Sequence, residues 1–345
     1  MSAISRIASG AAIVLLSVGM ALGAAAETTV RMATTGPEAE GDPNTVAMHA
    51  FRDFIEFASK GEIDVELIWG GALGGDRELM ELVQANQLQV VMVSLGPVAG
   101  FFPEIQVFSL PYLFDSSVFA TNFLNHSDYA KGLSGRLESA TGFKVLGYAD
   151  GGFRDLTNNV RPIRTPADME GLKIRTMESP VFMRMMEAMG AAATPMAFTE
   201  LILALKQGVV DGQENAPSTV LNFGIAEVQK YMSLDDHTYD AAITLTSQIF
   251  FDGLATGERQ IFMDGAQLMI SILNAEIPRN VVSDVQKIRE MGVEVYVNSA
   301  AEKAMFRNAA IGPVSEFIAG QIGQEAIDGL LGAITAHKEA MYGAN

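Results

Sequence analysis

The chain contains no cysteine. That one absence excludes disulfides, thiolate metal sites, cysteine nucleophiles and a lipidated N-terminal cysteine. Histidine is scarce. The four present (His49, His126, His237, His337) are dispersed and form no H-x-x-x-H pair, so a helical zinc site is not expected. No G-x-S-x-G, Walker A or G-x-G-x-x-G sequence occurs, and with them go the usual signatures of a hydrolase elbow, a P-loop and a dinucleotide fold. Basic residues are few, 23 against 41 acidic ones, and the formal net charge is −18. Such a chain does not favour nucleic acid, whose binding rests on cationic neutralisation of phosphates. Past residue 26 there is no long apolar run, and so no candidate membrane span.

What is present suits a folded protein. The 345 residues are 49% hydrophobic and 19% charged, enough for two globular domains. The first 26 residues read as an export signal. Arg6 supplies the positive region, Ala11–Leu22 the apolar stretch, and Ala24-Ala25-Ala26 an A-x-A cleavage site before Glu27. The competing reading is a membrane anchor, since residues 7–26 carry no charge. The short strongly apolar part and the small residues at its end favour a cleaved leader. The mature protein is then exported, soluble and not inserted in the membrane, with a net charge of −19 once Arg6 is lost.

Periodicity predicts a strand at 29–33, a helix capped by Asn44 and running to about Ser59, and a strand at 63–67. A glycine-rich turn, GGALGG, then leads to a helix from about Asp76 to Ala85, followed by a strand at 88–94. Strand, helix, strand, helix, strand implies a parallel α/β layer. FKVLGYAD (143–150), Val209-Val210, AITLTS (242–247) and VEVYV (293–297) read as further strands, and residues 324–341 as a helix. The stretch from about Glu258 to Met291 favours helix except at Pro278, where a kink or break is expected. The GGALGG turn invites a phosphate cradle but lacks the lysine of a P-loop.

One region stands apart in charge. Between Arg154 and Arg184 lie six basic residues and only four acids, a locally positive window in an acidic chain. Within it, GLKIRT alternates Leu172 and Ile174 with Lys173 and Arg175, the period of a short strand. A helix follows, with Phe182, Met185, Met186 and Met189 on one face. Arg175 therefore sits at a strand end that feeds a helix, and in open α/β sheets ligands bind beyond the strand ends. A plain surface arginine is the alternative.

The ordered segments LGGDRELMELV, VFSLPYLF, GFRDLTNNVRPIRTPADMEGLKIR, MGAAATPMAFTELILALKQGVVDGQEN and EVQKYMSLDDHTY run from about Leu73 to Tyr239. Together they resemble the substrate-binding proteins of tripartite ATP-independent periplasmic (TRAP) transporters. The resemblance implies two α/β domains of the periplasmic-binding-protein architecture, a ligand cleft between them, and several interdomain crossings near Gly151, Tyr239–Ala241 and Pro278. It divides the mature chain into 27–150 plus about 241–278, and 151–240 plus about 279–345.

The same resemblance implies a site. Arg175 matches the arginine that pairs with a ligand carboxylate, for which its planar fork of donors is suited. Arg154 matches a second arginine; the other reading is a structural pair with a nearby acid such as Asp155. Asn215 matches a ligand-facing amide, or caps a loop. Phe198 matches an aromatic that packs on ligand, or is simple core. Ser94 matches a cleft position that is charged or larger in some relatives, which leaves the ligand's identity open. His237 matches the family with a structural hydrogen-bonding role. No cofactor or metal is implied. The implied function is an extracytoplasmic receptor in the periplasm that binds a small organic acid (a dicarboxylate, sugar acid, hydroxy acid or keto acid) and delivers it to the TRAP permease subunits, driven by an ion gradient. Two other readings stay open: a secreted enzyme on a carboxylate substrate, with Arg175 as substrate clamp, and a sensor component.

Overall fold

The computed structural model describes residues 28–343, so the leader read at residues 1–26 lies outside the described residues. Nine strands form one sheet: β1 (Thr28–Ala33), β2 (Ile63–Ile68), β3 (Val90–Ser94), β4 (Phe143–Asn158), β5 (Lys173–Thr176), β6 (Ala192–Pro195), β7 (Gly212–Asn215), β8 (Tyr231–Ser247) and β9 (Glu294–Val297). Their order is β2-β1-β3-β8-β4-β7-β5-β6, with β9 beside β8. β1 pairs in parallel with β2 and β3, and β5 in parallel with β6 and β7. The α/β class read from the sequence is the class observed.

β3 shows why its sequence, VVMVS, is almost wholly apolar. Val90 and Met92 face one core with Val30, Phe51 and Phe262, whereas Val91 and Val93 face the other with Leu79, Phe108 and Phe182. A strand covered on both faces has no solvent side to carry polar residues. The second of these cores is continuous beneath both halves of the sheet, and a third, built on Leu201, Val220 and Met232, lies at the far end.

Two strands bind the halves together. β4 and β8 pair antiparallel along nearly their whole lengths, joining β3 at one end and β7 at the other. FKVLGYAD and AITLTS prove to be only the outer parts of these strands. The inner parts, GGFRDLTN and YMSLDDHTYDA, are polar yet buried, so hydrophobic periodicity misses them. The ladder slips its register between Asp150 and Gly152, where Gly152 takes φ +89° and an added Cβ would stand 2.9 Å from that of Ala216. Only glycine adopts this backbone without strain at that spacing.

Three further expectations are corrected. Asp42, not Asn44, caps the first helix, Pro43–Ala58: its Oδ2 accepts from the Thr45 amide at 3.0 Å, and Pro43 occupies the first turn, where a missing N–H costs nothing. The strand read at Val209-Val210 lies at Gly212–Asn215, and Val209 is exposed. The helix Thr256–Glu290 runs unbroken through Pro278. Its first part packs on Pro43–Ala58 and β4, its second on Pro217–Asn222 and β9. This two-sided packing supports the position that a proline weakens.

Candidate functional site

β3, β4, β5, β7 and β8 carry side chains to one cleft between the two halves of the sheet. Among its lining residues are Ser94, Arg154, Arg175, Phe198 and Asn215, so all five sequence candidates come together. The cleft holds about 130 Å³ of space, the volume of about four liquid waters.

Arg175 is the least satisfied group there. It sits on β5 and is 1% exposed. Its Nε and Nη2 both donate to the Met196 carbonyl, at 3.0 and 2.7 Å, and its guanidinium lies over the Phe198 ring, 5.7 Å from the centroid. Nη1 has no hydrogen-bond partner among the described residues. The side edge of the fork is thus filled, while the end edge, Nη1 with the second proton of Nη2, is free. Burial without an adequate counter-charge pushes the guanidinium down to about 10. Phe198 opens the helix Phe198–Gln207 and also meets Phe223 edge-on, with ring centroids 5.4 Å apart.

Arg154 is the opposite case. Its Nε and Nη2 clasp the Glu214 carboxylate, Nη2 also reaches the Glu214 carbonyl at 2.6 Å, and Nη1 donates to Asp240 at 2.8 Å. Four of its five N–H groups are therefore engaged. Asp155, the acid partner considered from sequence, is the next residue on the strand and faces away, accepting from the Asp236 amide. Burial pushes Glu214 up, but Arg154 outweighs it, then His237, and Glu214 is held at about 2. His237 lies behind the cleft, fully buried, with Nδ1 3.1 Å from Asp235 and Nε2 3.4 Å from Glu214. Burial would push it down, yet Asp235 and then Glu214 hold it up at about 10, so it is an imidazolium at neutral pH. Its structural role agrees with the expectation.

Ser94 donates its hydroxyl to both oxygens of Asp240, at 2.7 and 2.8 Å, and the Asn215 amide donates to Gln213. Sequence reasoning missed the acids of this cleft. Asp76, Asp150 and Asp240 all line it. Asp76 begins the helix Asp76–Gln84 after the glycine turn, and its Oδ1 accepts from Thr35 Oγ1 at 3.0 Å. Burial pushes both Asp76 and Asp150 up to about 6. Asp76 stood in plain view within LGGDRELMELV, but an acid in the first turn of a helix is so common that it carries no signal. Among the described residues that line the cleft there is no histidine, lysine or cysteine, and among all described residues no cluster fit to hold a metal.

The chain is similar to several known proteins. A family model for bacterial extracellular solute-binding proteins, family 7, matches residues 35–321. A solute-binding protein of Verminephrobacter eiseniae is 34% identical over 305 residues, covering 88% of this chain and 89% of the relative. The solved sugar acid binding protein of Advenella mimigardefordensis, in complex with galactonate, superposes with a TM-score of 0.84 at 30% identity, covering 90% of this chain and 98% of that one. A TRAP periplasmic solute-binding protein of Polaromonas sp. JS666, bound to D-erythronate, gives 0.83 at 30% identity, over 88% and 98%.

Proposed function

The chain belongs to the bacterial extracellular solute-binding proteins of family 7, and from that premise we propose that it is a periplasmic receptor that captures a small organic acid and hands it to a TRAP-type permease without chemical change. The buried Arg175 with its free Nη1 carries this reading. A carboxylate seated on the end edge of that guanidinium makes two charge-assisted hydrogen bonds and supplies the missing counter-charge. Phe198 buttresses the arginine, Asn215 and Ser94 border the ligand, and Arg154, already held by Glu214 and Asp240, shapes the wall and keeps one N–H for the ligand. Galactonate and D-erythronate, held by two similar proteins, are organic acids of this kind. A thermal-shift screen of organic acids tests the reading: an acid at 100 times its Kd adds about 2.7 kcal/mol of stability, a shift of several degrees. A screen in which no carboxylate shifts the transition counts against it.

Export follows from the leader. Cleavage after Ala26 is expected, and intact-mass analysis of the periplasmic protein then gives Glu27 as its first residue. A membrane-held protein that keeps residues 1–26 contradicts it.

Ligand capture involves closure of two halves about the crossings near Gly151, Tyr239–Ala241 and Pro278, with the helix Gln324–Tyr342 moving with the first half, on which it packs through Phe119, Phe123 and Tyr129. Gly36, after β1, stands where an added Cβ would meet the Phe223 ring at 2.7 Å. Its backbone is not of the kind reserved for glycine, so alanine there is resisted only by the partner across the cleft. Gly36→Ala is expected to weaken acid binding by the ~1–3 kcal/mol typical of overpacking, and to leave the unfolding temperature of the ligand-free protein unchanged. Calorimetry with an acid confirmed for the wild type measures the first, and circular dichroism the second. Wild-type affinity in Gly36→Ala means that closure does not bring these groups together.

A further inference from the structure

The two halves also meet beside the cleft. The stretch from β1 into the helix Pro43–Ala58 precedes every crossing, and the helix Pro217–Asn222 lies between the crossings near Gly151 and Tyr239–Ala241. The first therefore moves with one half and the second with the other. A side-chain hydrogen bond ties them: Asn222 Nδ2 donates to Asp42 Oδ1 at 2.9 Å. Asp42 is 1% exposed and held in place on its own side. Its Oδ2 accepts from the Thr45 amide and hydroxyl, at 3.0 and 3.3 Å, and its Oδ1 from Asn44 Nδ2 at 3.4 Å. Burial pushes the carboxyl up, and these bonds, with that from Asn222, pull it back. Asn222 ends its helix, half-buried, and its side chain makes no other hydrogen bond among the described residues. Neither Asp42 nor Asn222 lines the cleft, but Asn44, Thr219 and Phe223, close to them in the chain, do. The bond thus stands outside the space that an acid occupies.

We propose that Asn222 is a positioning residue for ligand capture: its bond to Asp42 forms only when the halves close, and it clasps the closed state over the ligand without touching it. This rests on the acid-receptor reading and names what sets the acid's residence time. A contact made only in the closed state raises the population of that state. The apparent dissociation constant then falls by the same factor for any ligand that needs closure. The contribution does not depend on which acid is bound, and this separates Asn222 from the residues of the cleft wall. An amide that donates to a carboxylate makes a charge-assisted bond, stronger than a neutral one. Asp42 is fixed by its own helix, so little freedom is lost when Asn222 reaches it. The bond forms after the ligand has entered, and it therefore acts on release rather than on entry.

The test is calorimetric and stopped-flow titration of the mature protein with several organic acids that bind the wild type, repeated on Asn222→Ala and Asn222→Asp. Asn222→Ala removes the donor and is expected to weaken every acid by the same factor, about tenfold, through faster release with entry unchanged. Asn222→Asp keeps the shape but sets a carboxylate against Asp42, and is expected to weaken every acid ~100-fold. The unfolding temperature of the ligand-free protein should hold in both, because the bond is not made in the open state. Wild-type affinity in both variants overturns the clasp and leaves the receptor reading standing. So does a loss confined to one acid, which makes Asn222 a ligand contact, or a loss carried by slower entry. A fall in the ligand-free unfolding temperature makes Asn222 a structural residue and overturns the clasp as well. Failure of every acid to bind the wild type removes both readings.

Discussion

Arg175→Ala is expected to cost acid binding about 2–5 kcal/mol, roughly 30- to 5,000-fold in affinity, because it removes one partner of a buried, hydrogen-bonded charge pair. The ligand-free protein should not suffer in the same way. In the folded state Arg175 is a buried guanidinium pushed down to about 10, so its charge is a burden on folding rather than a support. Its loss forfeits packing on Phe198 and the bonds to Met196, and relieves that burden. The unfolding temperature without ligand should therefore stay close to wild type, while the ligand-induced rise disappears. Arg175→Lys keeps a charge but not the fork, and should fall between. Titration calorimetry and circular dichroism measure the two quantities. A folded Arg175→Ala protein of wild-type affinity shows that the carboxylate sits elsewhere.

The largest stability effect is expected at Glu214. It is fully buried between Arg154 and His237, and both are cationic. Glu214→Ala leaves these two charges short of a partner, a loss of about 3–5 kcal/mol by analogy with other broken buried pairs. At roughly 2–4 °C per kcal/mol, the unfolding temperature should drop by about 10 °C. Glu214→Gln retains hydrogen-bonding shape without charge and should cost less. The pH dependence has a definite sign. Glu214 is held at about 2 against an ordinary 4.5, so its contribution is complete above 4.5 and disappears as pH falls through about 2. His237 is held at about 10 against 6.5, so its contribution is complete below 6.5 and disappears as pH rises through about 10. Both are at full strength between 4.5 and 6.5. Thermal unfolding followed by circular dichroism checks the substitution, and an unchanged transition in Glu214→Ala contradicts the buried network's role.

Much of the frame could be read from residue order. The alternation in GLKIRT gave β5, with Arg175 at residue 175 inside it, and the methionine stripe after it gave the helix Pro180–Ala188. The five candidate residues converge because four sit on strands that border the cleft and Phe198 opens the helix that follows β6. What stayed hidden was buried polarity. The inner parts of β4 and β8, and all of β7 after its glycine, carry acids, amides and Arg154 in the interior, where pattern reading assigns loops. Such residues are tolerated there because they satisfy one another, as Arg154, Glu214, His237 and Asp235 do, and that pairing is a property of three dimensions. The wrong acid partner for Arg154 was avoidable: neighbours on a strand point to opposite faces, so Asp155 could not have reached it. Asp76 was not avoidable, since an acid in the first turn of a helix carries no sign in sequence that it lines a cleft.

The most direct measurement is a calorimetric titration of the mature protein with a hydroxylated organic acid and with its primary amide, followed by recovery of the ligand. The account predicts saturation at one acid per chain, no detectable binding of the amide, which has no charge to offer Arg175, and an acid recovered unchanged. Equal binding of acid and amide, or conversion of the acid to another compound, would contradict it.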